Sequence, residues 1–248
     1  MFSAAMNQVT GKVNEEYSKV EYYFQLRKTN DSLMAANEKL YNKLRANFEL
    51  PDSTSKTVID TIRIDSINRY RKYNYLPAKV VYNSVAMQNN FIVLGRGEDQ
   101  QLKDGMGVVD PNSGVVGIVT DISKDYAVVM SLLHKDSHIS GKLLKSGETG
   151  TLSWDGKTPN IISLTGIPKS AKVNKGDTII SSGFSTSFPK GLIIGFVEDV
   201  IPEKSTNNYL IKFRSAANFY NLEFVFAIDN RQAENINNIL EKVKKKNQ

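Results

Sequence analysis

The residues with nucleophilic or phosphate-binding potential gather in one stretch, SSGFSTSFPKGLIIG, from Ser181 to Gly195. Serines stand between glycines, as at a hydrolase nucleophile, and a Gly/Lys loop follows, as at a phosphate site. A serine nucleophile needs a base, and the two histidines of the chain, His134 and His138, both lie in SLLHKDSHIS. GFSTS departs from the G-x-S-x-G pattern at its last position and no helix is expected after it, so the strained strand-to-helix turn is missing. A divergent two-barrel serine hydrolase, with Ser, His and Asp brought together by the fold, stays open as an alternative. The histidines are four residues apart, the spacing of a helical metal pair, but four residues of extended chain span about 13 Å. A surface turn is the expected home of both. Gly141-Lys142 has no glycine five positions upstream of Gly141, and GRGED at 95–99 lacks the third glycine and the helix of a phosphate loop. With no cysteine there is no thiolate, disulfide or Cys-type zinc site. No catalytic constellation, metal or cofactor is expected.

Which elements must carry these residues follows from the distribution of glycine. Of 16 glycines only Gly11 precedes residue 95. Residues 7–50 therefore read as one helix ended by Pro51, with Leu26, Leu33 and Leu40 at every seventh position. Tyr23, Asn30, Asn37 and Leu44 fill the other seam position. This is a heptad with Leu at d and Asn at two a positions, a pattern that sacrifices stability for register and suits a parallel dimer. An upstream set, Val13, Tyr17, Val20 and Phe24, is offset by one residue, so the coil is expected to be interrupted near Tyr22 to Leu26. Arg27, Met34, Tyr41 and Lys43 at flanking positions form no Glu/Lys ladder.

Residues 51–76 read as a linker with one short strand, alternating in VIDTIRID and closing on the basic aromatic RYRKYNY. Cations among rings suit single-stranded nucleic acid, and this module is a lesser alternative. The net charge of +6 is modest for 248 residues, which weakly supports an anionic partner. From Ala78 to Asn230 short Val/Ile-rich runs recur every 8 to 12 residues between turns such as DPNSG and WDGK. About ten strands with no helix between them imply a sandwich or small barrels. A charged tail, 231–248, ends in KVKKKNQ and reads as a frayed helix or an unstructured end. No run of eighteen apolar residues exists, and MFSAAMNQV lacks the basic start and apolar core of a signal peptide.

Lys175 to Val200, KGDTIISSGFSTSFPKGLIIGFVEDV, resembles the signature of the MreC rod shape-determining family: a GD-x-x-x-[ST]-SG turn, an FP-x-G turn and a G-x-V strand. AKVVYNSV, DGMGVVDPNSGVVGIV and GTLSWDG stand in family order. The motif positions are Gly176, Asp177, Ser182, Gly183, Phe188, Pro189, Gly191 and Gly195, where we expect turn glycines, a buried ring and a fixed φ rather than chemistry. The resemblance implies a mainly β fold: two small six-stranded barrels within 77–230, the second, about 119–190, inserted in the first, after a long coiled-coil helix. It also implies a short cytoplasmic segment, a single inner-membrane helix ahead of this chain, and a periplasmic place for these residues. The implied role is non-enzymatic. The chain would be a homodimeric scaffold for a class B penicillin-binding transpeptidase, working with MreD, RodA and MreB. Phe184, Phe188 and Phe219 are candidate partner contacts, alongside exposed sheet edges open to strand addition.

Overall fold

The computed structural model describes residues 2–44, 47–49, 61–64 and 67–246, with side chains at 22–44, 47 and 71–246. It divides into two units, residues 1–40 and 41–248. Helix α1, Phe2–Lys43, runs without a break and carries the first unit. Leu26, Leu33 and Leu40 are all exposed along it. The helix ends earlier than expected, so Leu44 lies beyond it. The reason is local: the Asn42 carbonyl is taken by Arg71 Nη1 at 2.7 Å, and the backbone N–H groups of Leu44 and Asn47 close tight turns onto Tyr41 O and Leu44 O. Of the upstream apolar set, the side chains of Val13, Tyr17 and Val20 lie outside the described residues.

The stretch expected to hold one strand and a linker contributes to a three-stranded antiparallel sheet. It is built from β1 (Phe48–Glu49), β2 (Thr61–Ile64) and β3 (Ile67–Arg71), in the order β1-β3-β2. Residues 50–60 lie outside the described residues.

Twelve strands then close two barrels. The first uses β4 (Tyr73–Asn83), β5 (Asn89–Leu94), β6 (Gly107–Val109), β7 (Val115–Ile122), β8 (Ala127–His134) and β15 (Phe224–Asn230), in the order β15-β4-β5-β8-β7-β6. The second uses β9 (Ile139–Leu143), β10 (Thr149–Ser153), β11 (Ile161–Pro168), β12 (Thr178–Ser181), β13 (Ile193–Pro202) and β14 (Asn208–Ser215), in the order β10-β11-β14-β13-β12-β9. All barrel pairings are antiparallel. The insertion therefore spans 139–215 rather than about 119–190: β7 and β8 belong to the first barrel, β13 and β14 to the second. Strand spacing gives strands but not partners, and β5 pairs with β8 across a sequence gap that local pattern does not reveal.

Two of the barrel strands were not expected from the sequence. Strand β6 is three residues between turns, and β11 is interrupted by a bulge between Leu164 and Ile167 where Gly166 takes φ +83°. Closure leaves neither barrel an edge, so the expected strand addition is not available on them. The tail is ordered as helix α2, Ala233–Lys246.

Candidate functional site

The inward face of the first barrel is filled by side chains such as Ile92, Leu94, Ala127, Val129 and Val119, all fully buried. Period-two alternation then sends the residues of opposite parity outward. On one sector, β4-β15-β6, the outward side chains are covered. Pairing places Tyr75, Ile228 and Gly107 in one row and Pro77, Phe226 and Val109 in the next.

Tyr41, near the end of α1, lies over these rows. Its ring stacks on Tyr75 at 5.1 Å and meets Phe226 at 4.9 Å, while its hydroxyl donates to Pro111 O at 2.7 Å. Ser113 Oγ is 2.9 Å from the same hydroxyl. Asn42 pairs with the Tyr75 backbone in both directions, donating to its carbonyl at 3.1 Å and accepting from its N–H at 2.7 Å. The DPNSG turn that receives Tyr41 is held by Asp110, whose Oδ1 accepts from the N–H of Asn112 at 2.9 Å and of Gly114 at 2.7 Å. Burial nevertheless pushes the Asp110 carboxyl above its ordinary range, against the lowering effect of those two donors. The Tyr75 phenol is likewise raised by its burial, with Tyr41 and Tyr73 adding to the shift.

The second cover on this sector is the SSGFSTSFPKG loop between β12 and β13. An added Cβ at Gly107 would sit 2.4 Å from Ser187 O and 2.5 Å from the Phe188 ring, so strand β6 of the first barrel and the loop of the second touch without space for a side chain. Phe188 is 1% exposed. Serines brace the loop: Ser181 Oγ donates to Pro189 O at 2.5 Å and accepts from the Leu192 N–H at 2.9 Å, and Ser182 Oγ is 2.8 Å from Ser140 Oγ. Gly183 and Gly191 hold φ of +82° and +98°. Gly195 has no room for a Cβ, which would lie 2.1 Å from Arg214 O. Asp177 is buried at the preceding turn, where Lys145 Nζ lies 2.5 Å from Oδ1 and the Asn174 N–H donates to Oδ2 at 2.8 Å. The hydrogen bond from Lys145, then that of Asn174, holds its carboxyl below the usual range.

Phe188 and Phe219, expected among partner contacts, are core residues; Phe219 is fully buried. Phe184 is 77% exposed. Within RYRKYNY, Tyr73 and Tyr75 are buried and Arg71 binds the Asn42 carbonyl, so these three residues offer no stacking platform; the side chains of Arg69 and Tyr70 lie outside the described residues. His134 corrects the surface-turn expectation: it ends β8, is buried, and meets Phe91 edge-on at 4.9 Å. Its Nδ1 accepts the Asp136 N–H at 3.0 Å, and burial lowers its pKa despite the nearby Asp136 carboxylate. His138 is exposed. Among the described residues no group of three His, Asp or Glu could hold a metal ion.

The opposite sector, β5-β8-β7 with the end of β4, has the same outward parity and no such cover among the described residues. Tyr82 pairs with Val93, Val93 with Val128, and Phe91 with Met130 and so onward to Ile118. Tyr82 is 52% exposed, and the other five are intermediate in exposure. Val81 and Tyr126 extend the patch as exposed apolar side chains. A barrel wall facing water would alternate apolar inside with polar outside. Here the outward face is apolar as well across β4, β5 and β8, with the exposed Asp121, paired to Val128, at its β7 margin; an apolar patch rimmed by polar groups is the composition of an interaction surface. The four-residue apolar runs FIVL and AVVM, within NNFIVL and AVVMSLL, were the sequence signal for it, since a strand buried on one face alone would alternate.

Residues 80–229 match the family model described as the barrel core of rod shape-determining protein MreC. The chain belongs to the MreC family. The cell shape-determining protein MreC of Listeria monocytogenes is 27% identical over 174 residues, covering 69% of this chain and 58% of the relative's length. Against the solved MreC structure from the same organism the TM-score is 0.58 at 25% identity, over 85% of this chain and 92% of that one. A chain in the solved complex between a penicillin-binding protein and MreC from Helicobacter pylori matches with TM-score 0.51 at 20% identity, over 64% of this chain and 99% of that one. That likeness shows the fold. The two closed barrels agree with MreC structures, and among the described residues no helix is long and apolar enough to cross a membrane.

Proposed function

We propose that this MreC chain is a non-enzymatic scaffold of the bacterial cell-elongation machinery, which binds a class B penicillin-binding transpeptidase on the uncovered sector of its first barrel. The observation that carries the reading is the contrast between the two halves of that barrel's outer wall. One half is sealed by Tyr41 and Phe188, and the other leaves Tyr82, Val93, Val128 and Met130 open to a partner. The Helicobacter pylori complex supports the class of partner, since it pairs an MreC with a penicillin-binding protein. A scaffold of this kind acts by binding one conformation of its partner more tightly and shifting that population.

In this reading the exposed Leu26, Leu33 and Leu40, with Tyr23, Asn30 and Asn37, form the seam of a parallel dimer. A membrane helix outside these residues tethers the chain on the periplasmic side of the inner membrane, within reach of MreD, RodA and MreB. The decisive experiment titrates the purified periplasmic part of the transpeptidase against the chain and its Tyr82→Ala, Tyr126→Ala variant. Truncating exposed aromatic anchors at an interface centre costs more than about 1 kcal/mol each, so affinity should fall by at least roughly tenfold. The control variant Tyr220→Ala should bind as the parent does. Equal affinity for all three chains would reject the sector as the docking surface.

A further inference from the structure

Helix α2 presents an apolar stripe that nothing on the described molecule covers. Ile236, Ile239, Leu240 and Val243 recur at the i, i+3, i+4, i+7 spacing of a single helix face, and all four are exposed. Only the start of the helix is anchored: Gln232 donates its N–H to Asn230 Oδ1 at 3.0 Å, and Asn237 Oδ1 lies 3.3 Å from Thr186 Oγ1. A fourteen-residue helix gains little stability in water from its own hydrogen bonds, so this stripe is where packing energy is still to be gained.

The charges around the stripe decide among occupants. Lys242, Lys244, Lys245 and Lys246 crowd the last turns, against Glu234 and Glu241 as the only acidic residues of the helix. At 100° per residue, Lys244 falls beside Leu240 on one margin of the stripe and Lys246 beside Ile239 on the other, with Lys242 next to it. An apolar face bracketed by lysines matches a helix lying in a lipid interface, with alkyl stems along the hydrocarbon boundary and ammonium groups at the phosphates. It fits a second copy of itself poorly, because a parallel pair would bring two sets of lysines together and an antiparallel pair would set each lysine cluster against a first turn whose one acidic residue is Glu234. We propose that α2 is an anionic-lipid-binding helix, which seats this end of the barrel pair on a membrane surface carrying net negative charge.

The test is co-sedimentation of the full chain with vesicles of phosphatidylcholine alone or mixed with phosphatidylglycerol, at low and high salt. Binding is expected to the anionic vesicles only and to weaken with salt. Ile239→Asp with Leu240→Asp should abolish it. Because two aspartates in mid-helix also weaken the helix itself, Lys244→Glu, Lys245→Glu, Lys246→Glu keeps the stripe and tests the charge separately, with an expected loss of on the order of a hundredfold or more. Failure of the parent chain to sediment with anionic vesicles, equal binding to both vesicle types, or unchanged binding by the charge-reversed variant would each overturn the proposal. So would a parent chain that stays off vesicles but self-associates in a way the stripe variant abolishes, which would assign the face to a second copy.

Discussion

Phe188 packs onto Gly107 where the two barrels meet, and a single added methyl tests the contact. In Gly107→Ala the new methyl would collide with Ser187 O and the Phe188 ring, atoms held by a fully braced loop. Overpacking of this kind costs about 1–3 kcal/mol, which denaturant titration would read as a lower midpoint at unchanged slope. His134 gives a second residue-scale prediction, with a sign. Burial lowers its folded pKa below the ordinary 6.5, so the unfolded chain binds the proton more readily. Its contribution to stability is complete above about pH 6.5 and falls as pH drops through that value toward the folded pKa. His134→Asn removes the titration, and its unfolding free energy should show a shallower decline between about pH 6.5 and 5 than the parent. An identical slope would mean that other groups carry the dependence.

At the scale of elements, the end of α1 is more than the end of a long helix. Tyr41 was legible only as a flanking heptad position, because its partners, Tyr75, Phe226 and the Pro111 carbonyl, are 34 to 185 residues away in sequence. Tyr41→Phe, which removes only the hydroxyl, should cost about 1 kcal/mol, whereas Tyr41→Ala, which also empties the space over Tyr75, should cost about 3 kcal/mol or more. Equal costs would show that the ring contributes nothing. The Leu33→Asp, Leu40→Asp pair addresses the seam instead: sedimentation should report a monomer if the seam is the dimer contact, since charges at d positions cannot be buried there. Local pattern disclosed the long helix, the β character and most strands, because heptads and Val/Ile runs are local signals. It missed β11, whose Gly166 bulge breaks the run, and β6, too short to show a period. Phe188 is the buried ring its turn motif led us to expect, whereas the reading of Phe188 and Phe219 as partner contacts fails, since an aromatic's burial is decided by what packs over it.

On the whole molecule, the two barrels share one chain threaded twice, and this sets how they unfold. The first barrel closes only when Phe224–Asn230 returns to pair with β4 and β6, after the entire second barrel has been made. The second reaches back through Phe188 onto Gly107, and Asn230 Nδ2 donates to Thr186 O at 2.9 Å. Either barrel alone would expose a face that the other now buries. The pair should therefore unfold as one cooperative transition, with calorimetric and van't Hoff enthalpies equal across residues 41–248. Phe188→Ala removes the ring that seals the junction while leaving each barrel's own hydrogen-bond ladder intact. A large-to-small change at a filled site costs about 3–5 kcal/mol. Because that loss falls on the contact between barrels, the thermogram should split into two transitions, or its van't Hoff enthalpy should drop below the calorimetric value. A variant that melted earlier but still in one matched transition would place the coupling elsewhere, in the crossing strands near His134 and Phe224 rather than in the aromatic seal.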